Sequence, residues 1–340
     1  MTATTKTGMK RTLKSKKPTI QQCVQLEVPK PLDRLSESEL ERKACIGKVM
    51  TYSLRSLTSK FVDKGFQWLL PVALSQSTDP LWPDPGASIE KRIEVDIYGK
   101  TVRTTASMII HKLVAASLAY PKLFILSPNI RIERGDRALT GKHVYEFTQL
   151  DFEARNATSK DIFALIEDAL CTLIGSLKKD MKEELTELCR RDDLRTPKKP
   201  FKIYERPELE AVYGADWETS LAKETEDPVW VTNIPREFYD YEDFKTGKWD
   251  NYDLFLPKYG EVLSGAKREW EYEKILTKIE RDNISKENYA LLLKLAKDRK
   301  LKSTAGGGIG MERLIAWITG VKHIGETQPF PRVPGTVNEL

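Results

Sequence analysis

Histidine and cysteine are scarce, with 3 and 4 residues in a chain of 340. Cys23, Cys45, Cys171 and Cys189 are scattered and form no CxxC pair, which excludes the ligand spacing of a zinc cluster and the framework of a disulfide-stapled domain. Reduced thiols and a cytoplasmic location are expected. No apolar run approaches the roughly 20 residues of a membrane span, so no membrane partner is expected. A glycine run near the C-terminus is followed by no lysine, so it is not a P-loop, and it lacks the GxGxxG pattern of a dinucleotide fold. Internal repeats are missing, and strands and helices do not alternate regularly. Both absences argue against a doubly wound parallel sheet and for an α+β fold, an antiparallel sheet flanked by helices.

Positive charge is concentrated at one end. Lys6, Lys10, Arg11, Lys14, Lys16 and Lys17 meet no acid before Glu27, while the whole chain carries a net charge of only +5. Residues 1–38 are therefore expected to be a basic, flexible extension, and residues 39–340 one dominant domain.

The pattern SESE offers a capping box of Ser36 with Glu39, and Ile46, Met50, Leu54, Leu57 and Phe61 then lay an apolar stripe along a helix that ends near Gly65. The following GFQWLLPVALS suits a buried strand or a dimer interface, and its composition favours core. Residues 93–97 and 100–105 are predicted to form a hairpin about Tyr98-Gly99, and 124–132 and 143–154 two strands joined by a polar turn. A helix capped by Ser159 is expected over 160–188, then a polar link, strands near 230–232, 252–257 and 260–264, and helices over 270–282 and 286–297.

Three stretches can carry chemistry. In AGGGIGMERL, Arg313 follows glycines at a helix start, where backbone amides and a fixed guanidinium can meet a phosphate. The alternative is tight packing of a strand against a helix. In RIERGDRALTGKHVYEFTQLDFEA, a period of two puts Phe147, Gln149, Asp151 and Glu153 on one face, and so much charge excludes that face from the core. An ordinary solvated sheet surface is the alternative, but Phe147 amid these charges suits stacking on a base. In DLFLPKYGEVLSGAKRE, Asp253 and Glu261 can hold a divalent ion, and Arg268 can grip a carboxylate through two parallel hydrogen bonds.

Taken in chain order, these stretches resemble motif 2, the segment before motif 3, and motif 3 of class II aminoacyl-tRNA synthetases of the aspartyl and asparaginyl type. The long helix with GFQWLLPV resembles motif 1, and TASMIIHKL the serine- and lysine-bearing segment that contributes Ser107 and Lys112. The resemblance implies the family's fold and activation of an amino acid by ATP. By position it implies that Arg131 holds the alpha-phosphate and Phe147 stacks on adenine. His143 and Glu133 would position the nucleotide, and Arg313 would clamp the far phosphates. It further implies that Asp253 and Glu261, helped by Ser264, bind Mg2+, and that Lys112 and Arg268 grip the side-chain carboxylate of aspartate, with Asp151 balancing the lysine or facing the amino group.

The sequence departs from the synthetases in two places. Fewer than 40 residues precede the first helix, too few for the five-stranded anticodon-reading barrel, so nucleic acid is not expected as a partner. In SMIIHK, Ile109 replaces a glutamine that helps hold aspartate.

A chain of this kind resembles the archaeal-type asparagine synthetases. The leading expectation is thus a homodimeric ligase that joins aspartate and ammonia through aspartyl-adenylate, releasing AMP and pyrophosphate. The alternatives are a stand-alone synthetase paralogue that loads a metabolite, carrier or tRNA, and a catalytically silent interaction protein.

Overall fold

The first helix is set by its start. Ser36 Oγ accepts a hydrogen bond from the Glu39 amide, and the Glu39 carboxylate accepts one from the Ser36 amide at 2.7 Å. From this reciprocal cap α1 runs Glu37–Asp63. Ile46, Leu57 and Phe61 of the predicted stripe are buried, and Met50 and Leu54 pack partly buried against the same core. The computed structural model describes residues 26–80 and 89–339; the basic stretch from Lys6 to Lys17 lies outside the described residues.

Eight strands make the central sheet: β1 (Gln67–Leu69), β2 (Lys122–Ile130), β3 (Glu146–Arg155), β4 (Lys202–Glu205), β5 (Val229–Thr232), β6 (Asn251–Leu256), β7 (Gly260–Lys267) and β8 (Thr304–Gly310). Their order is β1-β2-β3-β8-β7-β6-β5-β4. The inner strands pair antiparallel, and the outermost pair on each side is parallel. The fold is thus the expected α+β class. Leu150, Phe152 and Ala154 of β3 turn to one face of the sheet, into a core shared with α1, α3 (Ser159–Asp180) and α9 (Met311–Thr319). The opposite face carries α2 (Ile109–Leu118). There Ile109, Ile110 and Leu113 join a second core with Phe238, Tyr239, α7 (Tyr272–Arg281) and α8 (Ala290–Lys297).

Four expectations need correction. The helix expected over 160–188 is capped by Thr158, whose hydroxyl accepts from the Asp161 amide, and it breaks at Met181 before the short α4 (Lys182–Glu187). Between the polar link and β5 lie β4, α5 (Arg206–Tyr213) and α6 (Trp217–Glu224), none of which the residue pattern announced. Of the stretch GFQWLLPVALS only Phe66 is buried in the first core; β1 is an edge strand with one neighbour, leaving Trp68 54% and Leu70 88% exposed.

The fourth concerns the glycine run: of its two readings close packing holds, but of strand against strand, since the run forms β8 inside the sheet and α9 starts directly after it. A Cβ on Gly306 would fall onto the Phe152 carbonyl oxygen and the Glu153 carboxylate, and one on Gly307 would sit 2.9 Å from the Ser264 carbonyl oxygen. Backbone on the neighbouring strands cannot yield as a side chain can. Gly306→Ala is therefore expected to cost about 3 kcal/mol or more, and a thermal melt within a few degrees of the parent would contradict the close approach.

Candidate active site

Two neighbouring cavities open on the sheet face that carries α2. The first, of about 150 Å³, is lined by Arg131, Glu133, His143, Phe147, Glu261 and Arg313 among others. The second, of about 220 Å³, is lined by Ser107, Lys112, Asp151, Arg236, Ser264 and Arg268 among others. Arg131, Gln149 and Glu261 border both. The sequence-predicted residues are thus brought together from four segments separated in the chain. Asp253 lies beside the second cavity through its contact with Arg236.

Arg131 follows the last residue of β2. Its Nε donates to the Ala106 carbonyl oxygen at 3.1 Å, and its guanidinium lies over the Phe147 ring, 5.2 Å from the centroid. Arg313, in the first turn of α9, donates from Nη1 to the Glu261 carbonyl oxygen at 2.9 Å and stands 3.7 Å from the Glu261 carboxylate. The two guanidinium groups therefore face one chamber with their planes fixed from behind by backbone oxygens, which leaves donors for an anion. His143 precedes β3 rather than lying on it, and its Nδ1 is 2.6 Å from Thr140 Oγ1. Burial, with the Arg313 charge next, pushes its pKa down to about 3, so near neutral pH it is an uncharged donor and acceptor. Beside Arg313, Glu312 accepts from the Thr148 amide through both carboxylate oxygens, at 2.9 and 3.1 Å, which ties α9 to β3. Burial pushes its pKa up to about 7.

The second chamber overturns the expectation that the charged face of β3 cannot be core. Asp151 is 1% and Glu153 0% exposed. Lys112 Nζ donates to Asp151 Oδ1 and to the Gly307 carbonyl oxygen, both at 2.7 Å, and Ser127 Oγ donates to Asp151 Oδ2 at 2.6 Å. Arg268 donates to Asp240 Oδ1 at 2.6 Å, Glu153 Oε1 at 3.4 Å and the Gly306 carbonyl oxygen at 3.3 Å. These charges are buried because each has a partner of opposite sign, a pairing that a period-two count cannot see. The glycine strand contributes twice: its carbonyls anchor both cations, and Gly308, where a Cβ would lie 2.9 Å from Asp151 Oδ1, keeps the floor open. Ile109 also borders this chamber.

The expected Mg2+ ligands are arranged differently. Arg236, which no sequence pattern marked, donates from Nη2 to Asp253 Oδ2 at 2.5 Å and from Nη1 to Ser264 Oγ. Glu261 faces Arg313. Among the described residues, no three His, Cys, Asp or Glu side chains are grouped to hold a metal ion. Asp253, Glu261 and Ser264, engaged as they are by Arg236 and Arg313, do not fit a divalent ion. Asp240, Glu153 and Gln149 were likewise not assigned site roles from the sequence; the period-two face that includes Gln149 and Glu153 was the one available signal for them. None of the described helices is long and apolar enough to cross a membrane.

Comparison with known proteins agrees with this geometry. Residues 89–334 match the family model described as tRNA synthetases class II (D, K and N). The asparagine–tRNA ligase of Thermococcus kodakarensis is 30% identical over 243 residues, which cover 65% of this chain and 55% of that protein. The asparagine–tRNA ligase of Koribacter versatilis is 27% identical over 321 residues, covering 86% and 69%. The chain thus spans only about half the length of the first of these relatives. In fold, the chain is similar to the crystal structure of asparaginyl-tRNA synthetase from Pyrococcus horikoshii complexed with asparaginyl-adenylate. The TM-score is 0.75 at 22% identity, over 94% of this chain and 77% of that one. A match over most of the chain, with the motif residues gathered at one site, makes this protein a member of the class II tRNA synthetases of the D, K and N group.

Proposed function

We propose that this chain activates aspartate, or an amino acid closely similar to it, as an acyl-adenylate formed from ATP with release of pyrophosphate, and passes the acyl group to a separate acceptor. The observation that carries the reading is that one guanidinium, Arg131, borders both chambers. That shared position supports a role at the alpha-phosphate, where the two substrates would join. In this reading Phe147 stacks on the adenine, His143 and Glu133 orient the nucleotide, and Arg313 holds the far phosphates. Attack of a carboxylate on phosphorus needs alignment and neutralised charge rather than a side-chain nucleophile, and two guanidiniums lining one chamber suit both needs. Lys112, Arg268 and Ser107 border the chamber for the amino acid. Asp151 both holds Lys112 and offers an acceptor for the substrate's ammonium group.

The relatives are named as asparagine–tRNA ligases, which favours tRNA as the acceptor over the initial expectation of no nucleic-acid partner. Ammonia is the second reading. It is favoured by two cations, Lys112 and Arg268, bordering one small chamber, a setting for a diacid whose activated side chain would become asparagine. Exposed Trp68 and Leu70 beside α1 favour a homodimer through this edge.

ATP–pyrophosphate exchange tests the activation step with aspartate and asparagine supplied separately. Exchange that depends on one of them is expected, and none with either acid would overturn the proposal. Adding ammonium or tRNA to the charged enzyme then separates the acceptors: free asparagine appears in the first case, aminoacyl-tRNA in the second.

A further inference from the structure

Arg236 lies in a loop that is anchored on both sides. On its N-terminal side, Asn251 Oδ1 accepts from the Ile234 amide at 2.9 Å and Asn251 Nδ2 donates to the Ile234 carbonyl oxygen at 2.6 Å. On its C-terminal side, Phe238 is 0% exposed, and the Tyr239 hydroxyl donates to Asp79 Oδ1 at 3.0 Å. The side chain between these anchors spans two of the three groups expected to hold a metal, Asp253 and Ser264. The third, Glu261, borders the same cavity and adds to the carboxylates that raise the Arg236 pKa against the opposing effect of burial. Glu218 of α6 stands nearby, its carboxyl pushed up by burial and by Glu261 against the opposing effect of Arg236. Asp253 Oδ1 is left buried without a hydrogen-bond partner, but one oxygen is far short of a divalent site, which needs several.

We propose that Arg236 is a built-in counter-cation. Its guanidinium takes the protein ligands that a divalent ion would need at Asp253 and Ser264, and presents positive charge to the polyphosphate from that side of the cleft. With Arg131 and Arg313 it completes a set of three guanidiniums about one anion. The inference rests on the proposed adenylation only in taking that anion to be the triphosphate of ATP.

The test uses the full chain without nucleotide. Mn2+ binding is followed by electron paramagnetic resonance in the parent, in Arg236→Met and in Arg236→Lys, with melting curves to confirm that each is folded. ATP binding is then measured by calorimetry in excess EDTA. The expected result is no saturable Mn2+ site in the parent or in Arg236→Lys, and a new site in Arg236→Met. Metal-free ATP binding by the parent should weaken at least about tenfold in Arg236→Met. Saturable Mn2+ binding to the parent would overturn the inference without needing any variant, and so would absence of a new site in a folded Arg236→Met. ATP binding in EDTA that is indifferent to Arg236→Met would also overturn it. Failure of the parent to bind ATP under any condition would strike the proposed adenylation instead and leave the Mn2+ comparison to decide.

Discussion

Arg313→Ala is expected to lower the rate of ATP–pyrophosphate exchange by about a hundredfold to a thousandfold while shifting the melting temperature by no more than a few degrees, and Arg131→Ala should behave alike. The rate term follows from losing one preorganised cation at developing negative charge. The small stability term follows from geometry. Arg313 is 29% exposed at its side chain, and its bonds run to backbone oxygens of Glu261 and Lys142 and, at 3.7 Å, to a carboxylate that is itself 36% exposed. No buried charge is orphaned when it leaves. A second readout comes from His143, whose pKa of about 3 is due to burial first and the Arg313 charge second. Removing Arg313 should raise it, visible in a proton NMR titration. Full exchange activity in either variant would deny the pair a central part in the chemistry.

Arg268→Ala should fail differently, through the fold as well as the substrate. The guanidinium is 3% exposed and bonded to Asp240, Glu153 and the Gly306 carbonyl oxygen. Truncation leaves two carboxylates buried without their cation, a loss of about 3–5 kcal/mol in comparable pairs. Calorimetric melting should show it directly. The concentration of amino acid needed for half-maximal exchange should rise as well. If Glu153→Gln, made together with Arg268→Ala, restores much of the stability but none of the affinity, the two contributions are separable. An Arg268→Ala variant as stable as the parent would mean that the buried charges re-pair or protonate at little cost.

Local signals in the chain were legible where the physics is local. The Ser36–Glu39 cap and the Tyr98-Gly99 turn, with φ of +53° and +72°, were readable because their partners are neighbours in sequence. The motif stretches gave the class of fold and the residues now found around the two chambers. The rest depends on partners that no local window contains. Asp151 and Glu153 looked like solvent-facing charges because Lys112 and Arg268 lie on other elements. The glycines of β8 could be read either as freeing a helix start or as packing tightly, because Phe152, Glu153 and Ser264, which leave no room for a Cβ there, lie on neighbouring strands. Residues 202–224 hold their apolar positions in runs too short to announce a strand and two helices; Leu209 of α5 and Trp217 and Leu221 of α6 find their partners in Val231 and Phe255 of the sheet. Arg236 sits in a segment with no spacing signature, and only the meeting of its loop with β6 and β7 gives it meaning.

Because Arg131, Gln149 and Glu261 are walls common to both chambers, a ligand in either compartment touches side chains that also line the other. A ligand that draws the Arg131 guanidinium away from the Phe147 ring changes the electrostatic field felt next door. By thermodynamic reciprocity, whatever factor one substrate imposes on its neighbour's dissociation constant is returned unchanged. The partition between the chambers thereby acts as a coupler, through which the two ligands of the proposed reaction set each other's affinity by way of three side chains.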